Sequence, residues 1–109
     1  MIQLIKRSDV NTWKPFPHAK LTRHIPREYV ERILQIERLD GIVTLAAVQN
    51  AVYVLDGWKR LEAFKQSWLP EVTADIRTFR FDSLREATKT FTELQNIVKQ
   101  GQPAKRPQN

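Results

Sequence analysis

Between Val52 and Lys65 the apolar residues change period with no linker between the two patterns. Val52-Tyr53-Val54-Leu55 is a short β-branched and aromatic run, Asp56-Gly57 follows at once, and Leu61, Phe64 and Trp68 then recur at helical spacing. The pattern predicts a strand running straight into a helix, with the strand buried on both faces and the helix pinned to the sheet by Leu61, Phe64 and Trp68. Asp56 is placed to cap that helix by accepting from the free amides two and three positions on, and Gly57 permits a tight turn and close backbone approach by a ligand. With about 100° between successive residues, Gly57 continues the apolar stripe and lies closest to the core, Arg60 and Trp58 take its flanks, and Lys59 points away.

Two cations, Lys59 and Arg60, and the Trp58 indole thus fall in the first helical turn. Exposed amides and the macrodipole already make a helix N-terminus positive, so carboxylates are the usual residents there and added cations are unfavourable unless an anion is bound. Strand, glycine turn and helix N-terminus with added Lys and Arg form a phosphate site. Asp56, Gly57, Trp58, Lys59 and Arg60 are therefore the candidate phosphate-binding group. Taken singly each has a plainer role: Asp56 a cap, Gly57 a turn residue, Lys59 and Arg60 solvated charges.

These residues also carry a resemblance. Val54-Leu55-Asp56-Gly57-Trp58-Lys59-Arg60-Leu61-Glu62-Ala63 resembles the phosphate-binding motif of the ParB/sulfiredoxin superfamily: a hydrophobic strand, Asp-Gly or Gly, two variable positions, Arg, and an apolar helix with Ala. Leu21-Thr22-Arg23 followed by Pro26 resembles that superfamily's Arg-containing loop and first helix, and Thr44 to Leu55 its central hairpin, so that the likeness covers residues 2 to 80. It implies a compact α/β domain, a small mixed sheet of about four strands flanked by about three helices. It implies too that Arg23 contributes to the phosphate site from the facing loop, with a nucleoside triphosphate and Mg2+ as the candidate ligand. Partition-type ParB proteins bind and slowly hydrolyse CTP with this domain and read DNA with a later helical domain. No such domain is expected here, nor sequence-specific partition by this chain alone.

At 109 residues, 41% of them hydrophobic, the chain has room for one domain with one modest core, expected over residues 1–99 with a disordered basic tail over 100–109. There is no cysteine, hence no disulfide, thiolate metal site or cysteine nucleophile. That removes the sulfiredoxin reaction, which works through a cysteine in this same loop. No metal site is expected from the spacing of the remaining ligating residues. Met1 to Arg7 lacks the apolar segment of a signal peptide and no run approaches transmembrane length, so a soluble, cytoplasmic protein with no membrane partner is expected.

The net charge of +6 is unevenly spread. Residues 1–27 carry +5, residues 28–98 carry −2 and residues 99–109 carry +3. Concentrated positive charge favours a polyanion, and DNA is the expected partner, with Lys14, Lys20, Arg23, Arg27 and Lys59 as the candidate nucleic-acid contacts. A solubility surface with a basic tail is the alternative.

In chain order, Ile2 to Ile5 reads as a first strand. From Asn11 to His24 no period is sustained, and Pro15 and Pro17 argue against a regular element. Trp13 and Phe16 either stack on bases among the cations of this loop or fold back over the core. Pro26 suits the first turn of a helix bearing Tyr29, Val30, Ile33, Leu34 and Ile36 on one stripe and a Glu28–Arg32 pair on the other. Glu37 falls on that stripe: either the helix ends before Asp40-Gly41, with Gly41 as its terminator, or Glu37 turns inward as a candidate base. Ile42–Val48 and Val52–Leu55 read as a hairpin around Gln49-Asn50-Ala51, and Val72, Ala74 and Ile76 as a half-exposed strand. Ser83-Leu84-Arg85-Glu86 is a capping box opening a last helix with an apolar face.

Binding is the leading function class: nucleotide phosphate, or nucleic-acid backbone, at Gly57 to Arg60. A phosphoryl-transfer or phosphodiester-cleaving enzyme is the alternative, similar to the nucleases, nucleotide hydrolases and small-molecule kinases of the superfamily. For it Asp56 and Glu37 are the candidate catalytic groups, with Glu31 or Asp40 as further carboxylates and His18 and His24 as a weak pair. A third reading is an interaction protein with a vestigial site, forming a homodimer through its last helix.

Overall fold

The computed structural model describes residues 1–17 and 24–101, the stretch 94–101 as backbone only. In order the elements are β1 (Ile2–Lys6), α1 (Arg7–Val10), β2 (Lys14–Pro15), α2 (Arg27–Ile36), β3 (Arg38–Val48), β4 (Ala51–Asp56), α3 (Trp58–Ser67), β5 (Glu71–Phe81) and α4 (Leu84–Gly101). They make one mixed sheet in the order β1-β5-β3-β4-β2. β3 pairs antiparallel with β4 and parallel with β5; β1 is antiparallel to β5, and β2 is parallel to β4.

Alternation along the strands sends side chains to two cores, one on each face. On one face Val43 and Leu45 of β3, Val54 of β4 and Val72, Ala74 and Ile76 of β5 pack with Ile33 of α2 and Leu61, Ala63 and Phe64 of α3. On the other Ala46, Val48 and Leu55 pack with Phe16 and with Ala87 of α4. The β4 run thus packs on both faces, with Val54 buried in one core and Leu55 in the other, while Val52 and Tyr53 pack against the same two cores and stay partly exposed. Phe16 is 1% exposed, with its ring 5.0 Å from that of Phe91, and Trp13 packs against the first core. The aromatic loop therefore folds back over the domain. The Gln49-Asn50 hairpin forms with Gln49 left-handed (φ 54°), and the Glu86 amide donates to Ser83 Oγ at 3.2 Å, closing half of the capping box.

Several expectations are corrected. Against an expectation of about four strands and about three helices, the described residues form five strands and four helices, a slightly larger set in the expected mixed α/β arrangement. The extra strand is β2: Pro15 is accommodated because the pairing lasts two residues at a sheet edge, where a missing N–H costs no ladder bond. The extra helix is the single turn α1. α2 stops at Ile36, because Glu37 adopts the left-handed C-cap conformation (φ 51°, ψ 40°) while its N–H still donates to the Ile33 carbonyl at 2.7 Å. Gly41 is therefore not the terminator; it lies inside β3, left-handed (φ 83°), where the register with β5 breaks between Arg38 and Ile42. Arg32 pairs with Asp40 (3.2 Å) in place of Glu28, and Arg27 pairs with Glu31 (3.4 Å). Trp68 does not pin α3. The helix ends at Ser67, Trp68 turns left-handed (φ 62°), and its ring stays 76% exposed beneath the Arg7 guanidinium, 4.7 Å away. Ala63, fully buried, joins Leu61 and Phe64 in the packed part of α3.

Candidate functional site

The turn between β4 and α3 is held from behind. Gly57 is the N-cap of α3 in a left-handed conformation (φ 102°, ψ 13°), and no side chain caps the helix. Asp56 is thus not the cap: it is the last residue of β4, with an exposed side chain. A Cβ on Gly57 would stand 3.0 Å from Val43 Cγ2 and 3.2 Å from Val43 Cα, so glycine is required both by φ and by the approach of β3. The Leu61 N–H donates to the Gly57 carbonyl at 3.1 Å, the first bond of the helix. The amides of Trp58, Lys59 and Arg60 precede it and have no acceptor within the helix.

In front of this turn opens a cleft of about 670 Å³. All of Asp56, Gly57, Trp58, Lys59 and Arg60 line it, together with Ala63 of α3, Glu28, Tyr29, Arg32 and Ile33 of α2, and Arg38, Leu39 and Asp40 of β3. The packing of α2 beside α3 makes its walls. The five residues singled out by the sequence are therefore brought to one concavity. Arg60 is half-buried, and its guanidinium lies against Gly41: a Cβ at position 41 would be 2.9 Å from Nη2. Lys59 Nζ sits 5.5 Å over the Tyr29 ring, and Lys65 Nζ 5.4 Å over the Trp58 ring. Lys65 also pairs with Glu62.

The lining carries both signs of charge. Arg32 and Asp40 neutralise each other in a pair more than half exposed, which stabilises the wall by about 1 kcal/mol at most. Arg38, Lys59 and Arg60 form no ion pair among the described residues. Against them stand Glu28 and Asp56, which form no ion pair among the described residues either, so the lining keeps a net charge of +1. That excess beside unbonded helix amides suits an anion, and the exposed Tyr29 ring suits a flat apolar group. Among the described residues no three His, Cys, Asp or Glu side chains come together as a metal site.

Other candidate residues lie elsewhere. Glu37 is exposed at the end of α2, outside the cleft lining, and Glu31 is taken by Arg27. Lys14 borders a separate hollow of about 460 Å³ with Gln49, Asn50, Tyr53 and Ser83. Arg27 is exposed at the start of α2, and His24 is exposed just before it. Lys20, Arg23 and His18 lie outside the described residues, as does the tail from residue 102 onward. Sequence reasoning missed Tyr29, Arg32, Arg38 and Gly41 as parts of the site. Gly41 alone left a signal, a glycine beside an acid, but that signal was equally good for a helix end.

No protein-family model and no curated protein matches the sequence. Solved structures do match in fold. Sulfiredoxin from Arabidopsis thaliana superposes with a TM-score of 0.52 at 20% identity, covering 84% of this chain and 97% of that one. The C-terminally truncated chromosome-partitioning protein ParB from Caulobacter crescentus, complexed with CTP-gamma-S, superposes with a TM-score of 0.57 at 12% identity, covering 100% of this chain. The chain spans 56% of that ParB structure's length. The fold is therefore the ParB/sulfiredoxin-like one that the Asp56-Gly57 turn implied. Among the described residues no helix is long and apolar enough to cross a membrane.

Proposed function

We propose that this domain binds the phosphates of a nucleotide in the β4–α3 cleft. One observation carries the reading. The whole Asp56–Arg60 segment lines a single cleft in which Gly57 is pressed onto Val43, so the free amides of α3 and the cations Lys59, Arg60 and Arg38 line one concavity. Its volume of about 670 Å³ accommodates a nucleotide with its base near Tyr29. The ParB relative of the same fold was solved with CTP-gamma-S, which supports a nucleoside triphosphate as the ligand class. Magnesium would accompany the phosphates, with Glu28, Asp40 and Asp56 as the carboxylates of the lining, because no three His, Cys, Asp or Glu side chains among the described residues come together as a metal site.

The test is calorimetric titration of the chain with each of the four nucleoside triphosphates, with and without magnesium, and with a short duplex DNA. Saturable binding of one nucleotide, competed by inorganic triphosphate, is the expected outcome. Binding of DNA alone, uncompeted by triphosphate, overturns the nucleotide reading in favour of a nucleic-acid surface.

A further inference from the structure

The two edges of the sheet are built differently. β2 closes one edge with two residues, the second of them Pro15, which offers no N–H to a further strand. β1 forms the other edge, Ile2 to Lys6, with neither proline nor break in register, and only Ile5 of it is buried. Its bonds to β5 run through alternate residues. The Ile76 N–H donates to the Met1 carbonyl and the Arg7 N–H to the Pro70 carbonyl, each at 2.9 Å, while Gln3 stands opposite Ala74 and Ile5 opposite Val72. The odd-numbered positions therefore bond inward, and the peptide groups of Ile2, Leu4 and Lys6 face out from the sheet. No described strand pairs with them. Ile2 is 68% and Leu4 57% exposed, apolar side chains on a strand whose hydrogen-bonding edge is open.

We infer that β1 is the docking edge for a second copy of this chain, paired antiparallel about a twofold axis at Leu4. The outward set is self-complementary. Reversing the strand about Leu4 sets Leu4 against Leu4 and Ile2 against Lys6 of the other copy, so each outward N–H and C=O meets a partner. The charges permit it. Lys6 meets an aliphatic side chain instead of its own copy, and the Met1 ammonium, which the other copy's Arg7 approaches, is already held by Asp75 at 2.8 Å. The chain's own segment 102–109 is a poorer occupant, because it carries Lys105 and Arg106, no acid, and prolines at 103 and 107. An edge this short covers far less than the roughly 1,600 Å² of a standard interface, which makes the association weak, about micromolar or above.

The chain has no cysteine, so single-cysteine variants of the full chain read the register directly. Opposed Cα atoms of an outward pair lie about 5.5 Å apart, within disulfide reach, whereas two Ile2 residues would lie about 14 Å apart along the strands. Under mild oxidation Leu4→Cys is expected to form covalent dimer about tenfold faster than Ile2→Cys, while Ile2→Cys mixed with Lys6→Cys cross-links efficiently. Sedimentation velocity of the unmodified chain is expected to show concentration-dependent association that Leu4→Pro abolishes, since proline removes an outward N–H and spares the inward bonds. Equal cross-linking at Ile2 and Leu4, a purely monomeric chain up to about millimolar concentration, or undiminished association of Leu4→Pro overturns the inference.

Discussion

The guanidinium of Arg60 rests on the backbone of Gly41, filling the space a side chain would take: a Cβ there would stand 2.9 Å from Nη2, 3.0 Å from Cζ and 3.1 Å from Nε. Gly41 interrupts β3 and Arg60 belongs to the first turn of α3, so the contact joins two elements that wall the same cleft. A flexible arginine is thereby given one seat, which lowers the entropy it loses when a phosphate binds.

Gly41→Ala tests that seat. The new methyl displaces the guanidinium, and the left-handed φ of 83° strains the alanine by about 1 kcal/mol. Nucleotide affinity is expected to fall about tenfold with a melting temperature lower by a few degrees, read by calorimetry and thermal denaturation. Unchanged affinity would mean that Arg60 does not need Gly41.

Gly57→Ala is expected to be more damaging to the fold itself. Its Cβ meets Val43 at Cγ2 (3.0 Å) and at backbone Cα (3.2 Å), and φ is 102°. The strand cannot retreat without parting from β5, so a cost of about 2–4 kcal/mol is expected in denaturant unfolding. A midpoint within error of the parent would show that the turn rearranges freely.

Glu37→Gly separates α2 capping from chemistry at the cleft. Glycine is favoured at a left-handed C-cap, here at φ 51°, and the side chain is exposed, so unfolding free energy is expected to rise by about 0.5–1 kcal/mol. Nucleotide binding should stay as it was. A variant that is folded but no longer binds would place Glu37 in the site after all.

The strand–turn–helix was legible because it rests on local periodicity: Val54 and Leu55 had to be buried and Leu61 and Phe64 had to face the sheet. What was illegible depends on the chain's third dimension. Asp56 has the chemistry of a cap, but the left-handed Gly57 takes the cap position and leaves the carboxylate in the strand. Trp68 keeps the apolar spacing of α3, yet the helix stops one residue earlier and the ring turns outward. Pro15 forbids a central strand but not a two-residue edge. Gly41 and Arg60 are 19 positions apart, and no pattern along the sequence says that one lies on the other.

The most direct measurement is the nucleotide affinity and melting temperature of Arg60→Ala beside Arg60→Lys. Arg60 is half-buried, makes no ion pair among the described residues and lines the cleft, so its removal should leave the melt within a few degrees of the parent. The expected result is loss of detectable nucleotide binding in Arg60→Ala and partial retention in Arg60→Lys, which keeps the charge but not the planar fork. Undiminished binding by Arg60→Ala, or a melt lowered by tens of degrees, would contradict the phosphate-binding role and make Arg60 a structural residue or a bystander.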